Sequence, residues 1–123
     1  MAIHKNVVSI HPYFKPHEGK LDDFLAMLPQ FTEKTATEAG CLYYDFTLNG
    51  DVIHCREAYI GAEGAQAHLE NVGELLQQAL GISDLLRIEL HGPAKELDKL
   101  RPGLEALNPE WFVFQAGLER VGA

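Results

Sequence analysis

Cysteine is scarce in this chain, which has only Cys41 and Cys55 among its 123 residues. Two thiols are too few for a disulfide framework, and they lack the spacing and the companions of a zinc site. Basic residues are scarce too: 10 Lys and Arg face 18 Asp and Glu, a net charge of −8. A surface of that sign repels phosphate backbones, which argues against nucleic acid as a partner. No apolar run approaches the roughly 18 to 20 residues that span a bilayer, and Met1 to Asn6 holds no apolar stretch like that of a signal peptide. The expected address is therefore the cytoplasm, with no membrane partner. The six histidines form no His-x-His or His-x-x-x-His cluster, so no metal is expected. Phosphate-cradling glycine motifs, nucleophile elbows and internal repeats are missing as well.

What is present suits one globular core. Apolar residues make up 46% and charged residues 23% of the chain, ordinary values for a compact domain of this length. Val7 to Phe14 is rich in β-branched and aromatic residues and runs into Lys15-Pro16-His17-Glu18-Gly19, which reads as a first strand and a turn. Leu21, Phe24, Leu25, Leu28, Phe31 and Thr35 then recur at steps of three and four, the stripe of an amphipathic helix, with a bend expected at Pro29. Leu42 to Leu48 and Val52 to Tyr59 alternate around Asn49-Gly50, a strong hairpin signal. With Asn49 and Gly50 as the loop, Phe46 opposes Ile53, Asp45 opposes His54, Tyr44 opposes Cys55 and Tyr43 opposes Arg56.

In that register one face carries Leu42, Tyr44, Phe46, Ile53, Cys55, Glu57 and Tyr59, with Cys41 on the other. A second helical segment follows from Gly61, interrupted at Gly73 and resumed to Gly81. Leu85 to Leu90 reads as a fourth strand with Leu86, Ile88 and Leu90 turned inward. The order strand, helix, hairpin, helix, strand is the split β-α-β unit, an α+β ferredoxin-like fold whose antiparallel sheet has helices on one face. Residues 1–123 are expected to form a single domain, with a core over about 7–92 and a C-terminal extension over 93–123. That extension holds a weakly helical stretch and a fifth strand running from Pro109 to Arg120.

Two helices cover one side of a sheet. The other side, lined by Ser9, His11, Tyr13, Tyr43, Thr47, His54 and Arg56, needs water or a partner, and a face-to-face homodimer is the economical arrangement. Such a partner would also hide Trp111, Phe112, Val113 and Phe114, four consecutive apolar residues near a terminus.

The segments Gly40-Cys-Leu-Tyr-Tyr-Asp-Phe and Cys55-Arg-Glu-Ala-Tyr-Ile-Gly-Ala-Glu-Gly-Ala-Gln-Ala-His-Leu resemble the antibiotic-biosynthesis monooxygenase domains of the dimeric α/β-barrel superfamily. The resemblance spans about residues 7 to 92 and rests on Gly40, Cys41, Tyr44, Glu57, Tyr59 and His68. It implies the fold above and a homodimer. It also implies a functionally mixed group that includes cofactor-free oxygenases of anthrones or quinols, haem degraders and a sugar-phosphate isomerase. Haem degraders resemble one another in an Asn, a Trp and a His at places where this chain has Ser9, His68 and Gln78, so haem is not expected and no cofactor is assigned.

A cofactor-free oxygenase needs an apolar cavity, a base, and donors to hold the anion it forms. The expected walls are Phe24, Phe31, Tyr44 and Tyr59, with Met27 and Leu28 beside them. The expected catalytic groups are His68, as base, and Glu57, a carboxylate on an otherwise apolar face that orients it or rises in pKa. The reading is a cofactor-independent monooxygenase or related enzyme acting on a small aromatic or quinone-like metabolite. The alternative is a non-catalytic small-ligand-binding or stress-associated domain in which the same residues are structural. A solvent-reached cavity of several hundred Å³ would favour the enzyme, and a tightly filled one the binding domain.

Overall fold

The computed structural model describes residues 6–118. His4, and Glu119 and Arg120 of the expected fifth strand, lie outside them. The chain runs β1 (Val7–Pro16), α1 (Leu21–Thr35), β2 (Cys41–Asn49), β3 (Val52–Ile60), α2 (Gly61–Asn71), α3 (Gly73–Gly81), β4 (Ser83–Gly92), α4 (Ala94–Leu104) and β5 (Glu110–Val113). The sheet order is β2-β3-β1-β4-β5, antiparallel except for β5, which lies parallel to β4. This is the ferredoxin-like arrangement, left open because β2 and β5 do not meet.

Alternation along β1 sends Val8, Ile10 and Phe14 toward the helices, where two apolar clusters form. One gathers Tyr59, Ala62, Ala65, Leu90, Leu97 and Leu100; the other gathers Phe24, Phe31, Ile53, Val72, Leu75 and Ala79. Helix α1 runs through Pro29 to Thr35, and its expected span is met. No helix among the described residues is long and apolar enough to cross a membrane.

Three details depart from the pattern read along the chain. The hairpin loop is Gly50-Asp51, so Asn49 pairs with Val52 and every partner moves: Tyr44 faces Glu57, Asp45 faces Arg56 and Phe46 faces Cys55. Gly50 takes the positive φ of 62°, which suits a turn whose first central residue is glycine. Each of two strands also carries an extra residue. Leu42 is left out between the pairs Cys41–Tyr59 and Tyr43–Ala58, and Leu86 between Arg87–Tyr13 and Leu85–Phe14.

A bulge reverses the alternation beyond it. Cys41 therefore packs on the helix-side core, on the same side as Cys55, and Leu85 turns inward while Leu86 is left 53% exposed. Both thiols are free.

The extension is more ordered than its prolines suggest. Leu97, Leu100 and Leu104 of α4 are buried in the first cluster, and Glu96 accepts the Ala62 N–H at 2.9 Å, capping α2. Trp111 packs against that cluster under Arg101, whose guanidinium lies 4.7 Å from the ring centroid. The chain's own α4 thus covers Trp111, while Phe112, Val113 and Phe114 remain about 40% exposed.

Candidate active site

The site is built where β3, α2 and the turn after α1 converge. Glu57 and Tyr59 stand two residues apart on β3 and therefore share a face. Helix α2 comes close to the sheet because its first turns are Gly and Ala. A Cβ added at Gly40 would stand 3.1 Å from the Gly64 Cα, and one added at Gly64 would meet the Gly40 carbonyl at 3.2 Å. That approach brings His68, one helical face on from Ala65, against Glu57 and against Glu38 in the turn beyond α1.

The four groups form a chain. His68 Nδ1 lies 3.0 and 3.1 Å from the two Glu38 oxygens, and His68 Nε2 lies 3.3 Å from Glu57 Oε1. The Tyr59 hydroxyl donates to the same Oε1 at 2.6 Å. Asn71 holds Glu38 in place, donating from Nδ2 to Oε2 at 2.8 Å and to the Lys34 carbonyl at 2.9 Å. The side chains of Glu38, Glu57 and His68 are 7%, 6% and 3% exposed, so they are out of bulk water.

Burial governs their protonation. It raises the Glu57 carboxyl from 4.5 to about 7, against hydrogen bonds from Tyr59 and Cys55 that favour the anion. It lowers the His68 imidazole, against the pull of Glu38. Both shifts favour the neutral pair. With Nδ1–H directed at Glu38, Nε2 is left as an acceptor 3.3 Å from Glu57 Oε1, toward which a protonated Glu57 can donate. Burial followed by the nearby Glu57 charge also raises Tyr44, Cys55 and Tyr59. Cys41 is pushed up to about 11 by burial and Glu38, so both cysteines are neutral thiols near neutrality rather than nucleophiles.

Glu57 and His68 face an apolar pocket that also touches Phe24, Phe31, Tyr44 and Phe46. Its free volume is about 50 Å³, enough for little more than a water molecule or two. Of the expected walls, Phe24, Phe31 and Tyr44 line it. Tyr59 does not: it is fully buried and serves as the donor to Glu57. Ser9 bonds His11 at 2.8 Å on the sheet's other face, so it does not join His68.

Sequence reasoning does not mark Glu38 or Asn71, and it places Thr35 only in the stripe of α1. Asn71 left a usable signal, since it follows His68 by one helical turn and shares its face. Glu38 left none, because it sits in a turn with no periodicity. Among the described residues no three or more His, Cys, Asp or Glu side chains are arranged so that they could hold a metal ion.

An open ferredoxin-like sheet with its helices on one face defines the class of fold. The sequence pattern of the antibiotic biosynthesis monooxygenase family matches residues 7–71, and the chain belongs to that family. It is similar to MupZ from Pseudomonas fluorescens, with 41% identity and a TM-score of 0.90 over 96% of this chain and 98% of that one. Rv0793 from Mycobacterium tuberculosis (20% identity, TM-score 0.63, covering 71% of this chain and 94% of that one) shares the fold. So does SO0527 from Shewanella oneidensis (18%, 0.64, 72% and 92%). The MupZ match is long enough to take in the C-terminal extension, whereas the other two are about the size of the 7–92 core. No functionally curated protein matches the chain.

Proposed function

We propose that the protein is a cofactor-independent acid–base enzyme acting on a small, largely apolar metabolite, with Glu57 and His68 as the proton-transferring groups. The observation that supports this is the buried chain Glu38–His68–Glu57–Tyr59 against an apolar pocket. Enclosing two carboxylates and an imidazole costs several kcal/mol per unpaired charge, and a purely structural core has cheaper ways to fill that space. A carboxyl titrating near 7 is poised to take and return a proton at neutral pH. Glu38 holds the imidazole tautomer, and Tyr59 stabilises the Glu57 carboxylate when it forms.

Within this family the natural outcome is monooxygenation of an aromatic or quinol-like substrate. The base removes a proton from an activated C–H, and the carbanion reduces dioxygen. The CH₂ becomes C=O, with one oxygen atom retained and the other leaving as water. Tight filling of the pocket favours the alternative, a non-catalytic small-ligand-binding domain. The test is oxygen uptake and product formation with anthrones and quinols, comparing wild type with Glu57→Gln and His68→Asn. Turnover that collapses in both variants supports the enzyme, and turnover indifferent to both overturns it.

The same proposal holds that the chain acts in the cytoplasm as one domain and as a homodimer joined through the open sheet face. There His11, His54, Tyr13, His91 and Phe112 form a stripe of rings with centroids 4.1 to 5.9 Å apart, and Phe112, Val113 and Leu118 keep much of their apolar surface exposed. Light scattering tests it, and a monomer at micromolar concentration overturns it.

A further inference from the structure

Beside the buried network a second space opens on the surface, about 210 Å³ bounded by Thr32, Thr35, Ala36, Glu38, Cys41 and Tyr44. The Tyr44 ring borders both this groove and the apolar pocket and so stands between them. It packs edge-on to Phe46 at 5.1 Å and lies 5.0 Å from the His68 ring. The groove therefore reaches the acid–histidine chain through Glu38 and the apolar pocket past Tyr44.

Its polar walls are nearly all committed. Thr32 Oγ1 donates to the Pro29 carbonyl at 3.0 Å, Cys41 Sγ to the Tyr43 carbonyl at 3.5 Å, and Glu38 accepts from Asn71 and His68. Thr35 differs. It is 4% exposed, and its Oγ1 has no hydrogen-bond partner, although Thr32 and Thr37 on either side both find backbone carbonyls. The Tyr44 hydroxyl is close enough for Thr35 to hold back the rise in its pKa, but the two do not make a bond of ordinary geometry. A buried hydroxyl left unpaired is destabilising, so its retention at the mouth of a site calls for a reason. The groove also has an anionic wall, Glu38, and no Lys, Arg or His among its lining residues.

We infer that this groove is a subsite for a neutral oxygen substituent, a hydroxyl or carbonyl, of a ligand whose apolar body displaces Tyr44 and lies against Phe24, Phe31 and Phe46, with Thr35 Oγ1 as the hydrogen-bond donor. What this adds to the proposed substrate is the place of its oxygen substituent, against Thr35, and the exclusion of anionic groups there. A bare hydrocarbon leaves Thr35 unpaired, and a carboxylate or phosphate meets Glu38 with no counter-charge. This deepens the proposed function and rests on the same site.

The test compares three probes of one size, naphthalene, 1-naphthol and 1-naphthoate, by titration calorimetry on wild type, Thr35→Val and His68→Asn, with the melting temperature of each ligand-free variant. Wild type should prefer 1-naphthol to each of the others by about tenfold. Thr35→Val should lose most of that preference over naphthalene while melting no lower than wild type, because Val replaces an unpaired hydroxyl with a methyl of the same shape. A melting point lowered by several degrees means the hydroxyl was bonded within the fold and overturns the inference. So does naphthoate binding as well as naphthol, an unchanged naphthol affinity in Thr35→Val, or no binding of naphthol up to its solubility. His68→Asn should keep the preference. A wild type that does not discriminate among the probes while its turnover depends on His68 removes only the subsite, and turnover indifferent to His68 with wild-type discrimination intact removes only the acid–base reading.

Discussion

One sheet separates two sets of histidines that the chain treats in opposite ways. On the helix side His68 sits between two carboxylates, 3.0 Å from Glu38 and 3.3 Å from Glu57, and its side chain is 3% exposed. On the open side His11 has ring neighbours of its own kind, His91 at 4.7 Å and His54 at 5.9 Å, while Glu89, its partner across the β1–β4 ladder, opposes them more weakly. Burial lowers both imidazoles, but the neighbours divide them. Carboxylates oppose the shift at His68, whereas His91 and His54 deepen it at His11, to about 4. On the helix side a carboxyl is thus held near neutrality, whereas on the open side His11 is held neutral there.

The largest effect should come from removing either of the proposed proton-transferring groups. Glu57→Gln and His68→Asn should each lower turnover by about 10²- to 10⁴-fold, read from initial rates, while His54→Asn on the other face should leave the chemistry intact. Next in size is stability. His68→Ala strands two buried carboxylates and should cost about 3 kcal/mol in urea unfolding. The simple Ala variant therefore confounds activity with folding, and His68→Asn is the better probe.

The pH dependence sharpens the contrast. Glu57 has a folded pKa of about 7 against 4.5, so the folded state holds more protons than the unfolded state. This contribution, about 3 kcal/mol, is complete below pH 4.5 and is lost as pH rises through 7. His68, held low, slopes the other way below 6.5, so the clean window is pH 6.5 to 8. There wild type should lose stability with rising pH and Glu57→Gln should not. His11 has the opposite sign: its contribution is present above 6.5 and is lost as pH falls toward 4. Melting temperatures from pH 6.5 to 4 should therefore fall less steeply in His11→Asn. The smallest effect belongs to neither face. Arg101→Ala removes a half-exposed cation over Trp111 and should cost about 0.5 kcal/mol.

Much of this was legible along the chain. The periods of Val7–Phe14, Leu21–Thr35 and the two hairpin strands define the ferredoxin-like order, because amphipathic spacing depends only on local geometry. Glu57 stood out as a carboxylate on an apolar face, and His68 as a histidine on a helix stripe. Leu42 and Leu86 misled because a bulge resets alternation without a marker in composition, which also moved Cys41 to the core side. The leucines of α4 looked weakly helical because Pro102 and Gly103 dilute the stripe.

Local sequence, then, determined the elements, their order and the two residues on which the chemistry is proposed to turn. Only tertiary structure decided that Gly40 and Gly64 touch, that Glu38 from a patternless turn reaches His68, and that Tyr59 serves Glu57 instead of walling the pocket. Those depend on packing between segments far apart in the chain, where the close approach of two backbones sets distances that no periodicity records.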